Sequence, residues 1–92
     1  MLIWKLPKIF LVKIDGLSLF PQLKPNEIFL ACNLKKPHKG DYVIFEKKSS
    51  LWVKRVIEIN EDLKKCLVND NFQNYYSLNF EDIKGVLILK LF

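Results

Sequence analysis

Arginine is almost missing from this chain: Arg55 stands alone beside fourteen lysines. Proteins that read nucleic acids rely on arginine forks for phosphates and guanines. The net charge of +5 is thus a poor argument for a nucleic-acid partner, and none is expected. Alanine occurs once and glycine three times, while lysine, asparagine, isoleucine and phenylalanine are frequent. That bias reads as A+T-rich coding, which further weakens the high pI as a sign of any partner. Histidine occurs once, as His38, and the two cysteines, Cys32 and Cys66, form no CxxC pair. These residues make no zinc ligand set, so neither metal nor cofactor is expected. They read as two reduced, partly buried thiols in a cytoplasmic protein; a single disulfide stays open at this level.

A long hydrophobic run is also lacking. "MLIWKLPKIFLV" is interrupted by Lys5, Pro7 and Lys8, and "VLILKLF" is short. A membrane span takes about 20 apolar residues, and no small-residue leader cleavage site follows a clean apolar run. A soluble chain without a transmembrane segment is expected. Leu2, Ile3 and Trp4 read as a first strand or a core cover, with peripheral membrane contact as the alternative.

What is present suits one small domain over residues 1–92. Half the residues are hydrophobic and 13% are aromatic, enough for a packed core at a length that buries about two-thirds of its unfolded surface. Short apolar runs at 8–14, 28–34, 42–47, 51–60, 66–70 and 83–92 alternate with polar turns, which predicts strands. Gly16, Pro21 and Pro25 exclude a long helix between the first two. "FQNYYSLNFED" reads as irregular, with a short helical turn near Phe80–Asp82. The expected fold is all-β or β-rich: a small, partly open, barrel-like arrangement with little helix.

Two adjacent cations, Lys54 and Arg55, lie inside the longest apolar strand, "LWVKRVIEIN". Side chains alternate along a strand, so the two face opposite ways. Lys54 falls beside Trp52 and Val56, and Arg55 beside Val53 and Ile57. Snorkelling from a sheet edge is the ordinary fate of such a lysine. The chemical alternative is a general base. Burial disfavours an ammonium, and a lysine base working near neutrality wants a pKa of about 7 to 8 against about 10.4 when free. A neutral amine then takes the proton of a serine hydroxyl, as in Ser–Lys pairs. Ser18, in "DGLSLFPQL", is the matching serine. Gly16 permits a positive φ, Pro21 keeps the segment off a regular ladder, and the Ser18 N–H can face an oxyanion. The plain reading of Ser18 is a turn hydroxyl bonded to its own backbone.

Five segments in order resemble the signal peptidase I family. "DGLSLFPQL" is similar to its Gly-x-Ser-Met-x-Pro signature, "KGDYVIF" to its Gly-Asp strand and "WVKRVI" to its lysine strand. "VNDN" is similar to its Gly-Asp-Asn turn and "IKGVLI" to its closing strand. The resemblance spans residues 12 to 88. It implies Ser18 as nucleophile, Lys54 as general base and the Ser18 N–H as oxyanion donor. Gly16 occupies the place where some members carry a second oxyanion hydroxyl. Arg55 matches the arginine after the lysine. Ser77, in the loosely kept "NYYSLNF", stands for a serine that helps orient the lysine, and by another alignment Asn74 takes that place. Leu19 and Phe20 are the candidate substrate-binding residues.

The short chain resembles the soluble branch that matures nickel-type superoxide dismutase. That implies removal of an N-terminal leader from a protein precursor in the cytoplasm, with the substrate extended along a strand edge. Two other readings stand beside it: a LexA-like self-cleaving Ser–Lys domain, and a catalytically inactive β-rich binding module with a basic surface.

Overall fold

The computed structural model describes residues 3–5 and 8–92, the first three by backbone alone. The chain is all-β. Eight strands run β1 (Ile3–Lys5), β2 (Ile9–Lys13), β3 (Ile28–Cys32), β4 (Tyr42–Lys47), β5 (Ser50–Asn60), β6 (Lys65–Asn69), β7 (Tyr75–Asn79) and β8 (Ile83–Lys90). A 3-10 turn, Phe80–Asp82, precedes β8. The strands form one sheet in the order β1-β2-β3-β8-β4-β5-β6-β7, and every pairing is antiparallel. The sheet does not close into a barrel; β1 and β7 are its two ends.

Both faces of the central strands are covered. Val43 and Phe45 of β4 join one core with Val56, Val68 and Val86. Ile44, between them, joins a second core with Phe10, Val12, Phe29, Val53 and Leu87. Neighbouring residues on a strand point to opposite faces, so the two cores lie on opposite sides of β4. This explains why "YVIF" reads as a continuous apolar run instead of an alternating one. The β4–β5 hairpin turns through Lys48 and Ser49, both with positive φ (51° and 63°). Two successive left-handed residues are what a two-residue hairpin loop needs to match the strand twist.

Two stretches differ from the sequence expectation. Residues 75–79, read as irregular, form strand β7 against β6. Tyr76 and Leu78 point inward while Tyr75, Ser77 and Asn79 point out; the polar residues before this run hide that alternation. Ile3–Lys5 form a short strand on β2. Leu2 and the side chains of Ile3 and Trp4 lie outside the described residues, and with them the membrane-contact alternative. Among the described residues no helix is long and apolar enough to cross a membrane.

Gly85 shows how tightly the sheet is filled. A Cβ there would lie 2.5 Å from Phe10 Cζ and 2.9 Å from its Cε1, and Phe10 is itself buried. Gly85→Ala is expected to destabilise the fold by about 1–3 kcal/mol through overpacking. Urea denaturation measures it, and an unchanged midpoint would show that the Phe10 ring swings aside freely.

Candidate active site

Ser18 sits on the loop between β2 and β3. The loop is closed at its neck by Ile14 N–H donating to Glu27 O and Asn26 N–H donating to Ile14 O, both at 2.9 Å. Ile14, Leu19 and Leu23 are buried and anchor it on the second core, with Phe10, Val12 and Ile44. Gly16 has φ of +91°, a region that favours glycine. A turn follows, with Phe20 N–H donating to Leu17 O, and the Phe20–Pro21 peptide is cis. Among the described residues no backbone carbonyl takes the Ser18 N–H.

Lys54 does not snorkel. It is 1% exposed, on the strand face it shares with Val56 and opposite Val43 of β4. Its Nζ donates to Ser18 Oγ at 3.3 Å and to Asp70 Oδ2 at 2.7 Å. The Trp52 ring centroid is 5.1 Å away. The ammonium therefore has an anion, a hydroxyl and an aromatic face, and so tolerates burial.

Asp70 is 3% exposed and opens the turn after β6. Its Oδ1 accepts the N–H groups of Phe72 and Asn74, and its Oδ2 accepts the Asn74 side-chain amide as well as Lys54. Burial alone would raise its pKa. The hydrogen bond from Lys54, then those from Asn74 and Phe72, overcome burial and hold the carboxyl at about 2, below its ordinary 3.8. A carboxyl lowered in the folded state stabilises fully above its unfolded pKa, and that stabilisation is lost as pH falls through the folded value. About 2 kcal/mol is thus expected to disappear between roughly pH 4 and pH 2. Denaturant titrations across that window check this, with Asp70→Asn expected to lose the Asp70 part of the slope.

The next residue, Asn71, holds the serine loop. Its N–H donates to Ser18 O at 2.8 Å. Its side-chain Nδ2 donates to Phe20 O at 2.7 Å and to Gln22 Oε1 at 2.8 Å. Its Oδ1 accepts Arg55 Nη2 at 3.0 Å. Two consecutive residues of β5 thus meet two consecutive residues of the turn: Lys54 with Asp70, and Arg55 with Asn71. Arg55 supports the serine loop through Asn71, not the lysine. Asn71→Ala removes three side-chain hydrogen bonds at about 1 kcal/mol each. Faster amide exchange confined to residues 17–23 is the expected result, and unchanged protection there would count against the clamp.

Beside Ser18 lies a cleft of about 180 Å³. Gly16, Leu17, Ser18 and Leu19 line one side, and Leu51 and Val53 of β5 the other. Leu19 is 4% exposed and forms part of the lining. Phe20 does not line the cleft and is about half exposed; Leu17 takes the place expected for it. Ser77 also lies elsewhere. It is exposed on β7, paired with Leu67, and borders a separate groove with Glu58, Asn60 and Leu63. Strand alternation turns it outward between Tyr76 and Leu78, so it has no part in orienting Lys54.

Asp70 and Asn71 are the residues that sequence reasoning passed over. "VNDN" reads as turn formers, which they are. The available signal was electrostatic: a lysine buried in an apolar strand requires an anion. The cysteines are both free, Cys66 buried and Cys32 half-buried, and burial pushes the Cys66 thiol up. Among the described residues no three His, Cys, Asp or Glu side chains are grouped to hold a metal ion.

Compared with known protein families, curated proteins and solved structures, the chain matches none, so the resemblance to signal peptidase I rests on its five ordered motifs.

Proposed function

We propose that the chain is a serine endopeptidase acting through a Ser18–Lys54 pair. One observation carries this reading: a fully buried lysine reaches the hydroxyl of a loop serine at 3.3 Å, beside an apolar cleft. In the reacting form Lys54 is a neutral amine. As Ser18 Oγ bonds to the substrate carbonyl carbon, its proton passes to Lys54 Nζ. The carbonyl π electrons move to oxygen, for which the family resemblance gives the Ser18 N–H as donor. The carbon–nitrogen bond then breaks, and the leaving amine takes the proton from Lys54. Water hydrolyses the acyl-enzyme by the same proton route in reverse.

The strand edge beside the cleft suits an extended substrate. Residues 50–54 of β5 pair with β4, and β6 pairing starts only at Arg55. Val56 directs its N–H and C=O toward Asp41 and Gly40 on the β4 side. By alternation the backbone groups of Val53 and Leu51 face the other side, toward the cleft. A peptide laid there adds a strand and brings its carbonyl to Ser18. The leader of a nickel-type superoxide dismutase precursor, in the cytoplasm, is the substrate that the family resemblance supplies. The test is cleavage of that precursor by the parent chain and by Ser18→Ala. A defined N-terminal fragment is expected from the parent alone, and equal cleavage by both would end the proposal.

A second reading, a β-rich binding module without catalysis, is favoured by one distance. Lys54 lies closer to Asp70 (2.7 Å) than to Ser18 (3.3 Å), as in a purely structural ion pair. Failure of Ser18 to react with any serine-directed reagent would favour it.

A further inference from the structure

We propose that Asp70 is the positioning residue of the Ser–Lys pair: it aims the Lys54 amine at Ser18 and, as the anion in contact with that amine, couples the reactivity of the serine to pH. The inference rests on the peptidase reading and adds a third member to it. The resemblance assigned orientation of the lysine to a neutral side chain, Ser77 or Asn74. Ser77 is turned away, and Asn74 touches Asp70 instead of Lys54.

The argument begins with geometry. Lys54 Nζ has three donor directions, and two are taken by Asp70 and Ser18 Oγ. With Asp70 fixed by three further hydrogen bonds from Phe72 and Asn74, the amine has little freedom to turn from Ser18. A hydroxyl in the place of Asp70 would orient without charge. A carboxylate orients and also favours the ammonium, because an opposite charge within about 4–6 Å stabilises the ionised form. An ammonium has no lone pair to accept the serine proton. The pair can therefore react only with Lys54 as the neutral amine, the form that the Asp70 charge opposes.

The remaining charged groups around Lys54 leave Asp70 dominant. On the serine loop, Asp15 lines the same cleft. On β5, Arg55 is turned to Asn71. On β4, Lys47 approaches the Trp52 ring at 6.0 Å, the ring whose centroid is also near Lys54. The single histidine, His38, is placed with Asp41. Among these, Asp70 is the group in direct contact with the amine.

The test is the pH dependence of Ser18 labelling by a fluorophosphonate, with the labelled residue identified by mass spectrometry. In the parent protein the rate is expected to rise with pH to an alkaline plateau. In Asp70→Asn the midpoint is expected to fall by roughly one to three pH units, the range an adjacent opposite charge produces. Its plateau is expected to fall too, because an amide oxygen orients the amine less firmly. Asp70→Ser, neutral and small, is expected to shift the midpoint the same way and serves if Asp70→Asn does not fold. Asn74→Ala loosens the same turn but keeps the charge, so its midpoint is expected not to fall. An unshifted midpoint in the neutral variants, with Ser18 still labelled, would overturn the role of Asp70 alone. No labelling of Ser18 in the parent at any pH would overturn the pair, and Asp70's role with it.

Discussion

Asp70→Ala is expected to destabilise the fold by about 3–5 kcal/mol, the cost of leaving a buried charge without its partner. Lys54 is 1% exposed and Asp70 3%, so solvent screens neither charge effectively in the folded chain. After the substitution the ammonium keeps only Ser18 Oγ and the Trp52 face. Either it stays charged in an apolar setting or it gives up its proton, and both routes cost stability. The turn also loses its anchor, since the N–H groups of Phe72 and Asn74 lose their acceptor. Asp70→Asn keeps an acceptor of the same shape and is expected to cost less. Replacing both partners by apolar residues, Lys54→Met with Asp70→Leu, is expected to recover much of the loss, because a buried ion pair contributes little over a well-packed apolar pair. Urea denaturation of the four proteins at pH 7 provides the measurement. A loss below about 1 kcal/mol for Asp70→Ala would mean that the pair is open to solvent.

On the proposed Ser–Lys reading, Lys54→Arg is expected to lower activity steeply while leaving the fold in place. An arginine supplies the cation that Asp70 requires, but it does not deprotonate in proteins and has no lone pair to offer. Lys54→Met removes base and charge together. Both are expected to lower turnover of the proposed precursor substrate roughly a hundredfold to ten-thousandfold, the usual contribution of a positioned general base. The melting transition separates them, with Met losing stability through the stranded Asp70 carboxylate and Arg losing less. Turnover by Lys54→Arg within tenfold of the parent would remove Lys54 from the role of base, whatever the fate of Ser18→Ala.

Much of the fold was readable because its strands are short and strongly apolar. "YVIFEK" and "LWVKRVIEIN" gave their own bounds to within a residue, 42–47 and 50–60. Strand β7 was not readable: its first residues follow a polar turn, and its inward pair, Tyr76 and Leu78, is too short a pattern to stand out. The two principal candidate residues, Ser18 and Lys54, were legible for a local reason. A lysine between valine and arginine in an apolar strand is conspicuous anywhere, and a serine two residues after glycine and three before proline marks an irregular loop. Their neighbours were not. Ser77 and Asp70 lie seven residues apart, and nothing in composition tells which of them faces β5.

By itself, then, the sequence determined the all-β class, most strand positions, and the presence of one lysine that needed a chemical explanation. Hydrophobic period and turn residues are local properties, and they act through nearest neighbours along the chain. Tertiary structure alone decided that residues 18, 54 and 70 meet, that Arg55 supports Asn71 and that Ser77 faces out. Those outcomes depend on the register of β5 against β6 and on the side of the sheet over which the serine loop closes. A change of one residue in that register reverses which side chain enters the site, and no local pattern records it.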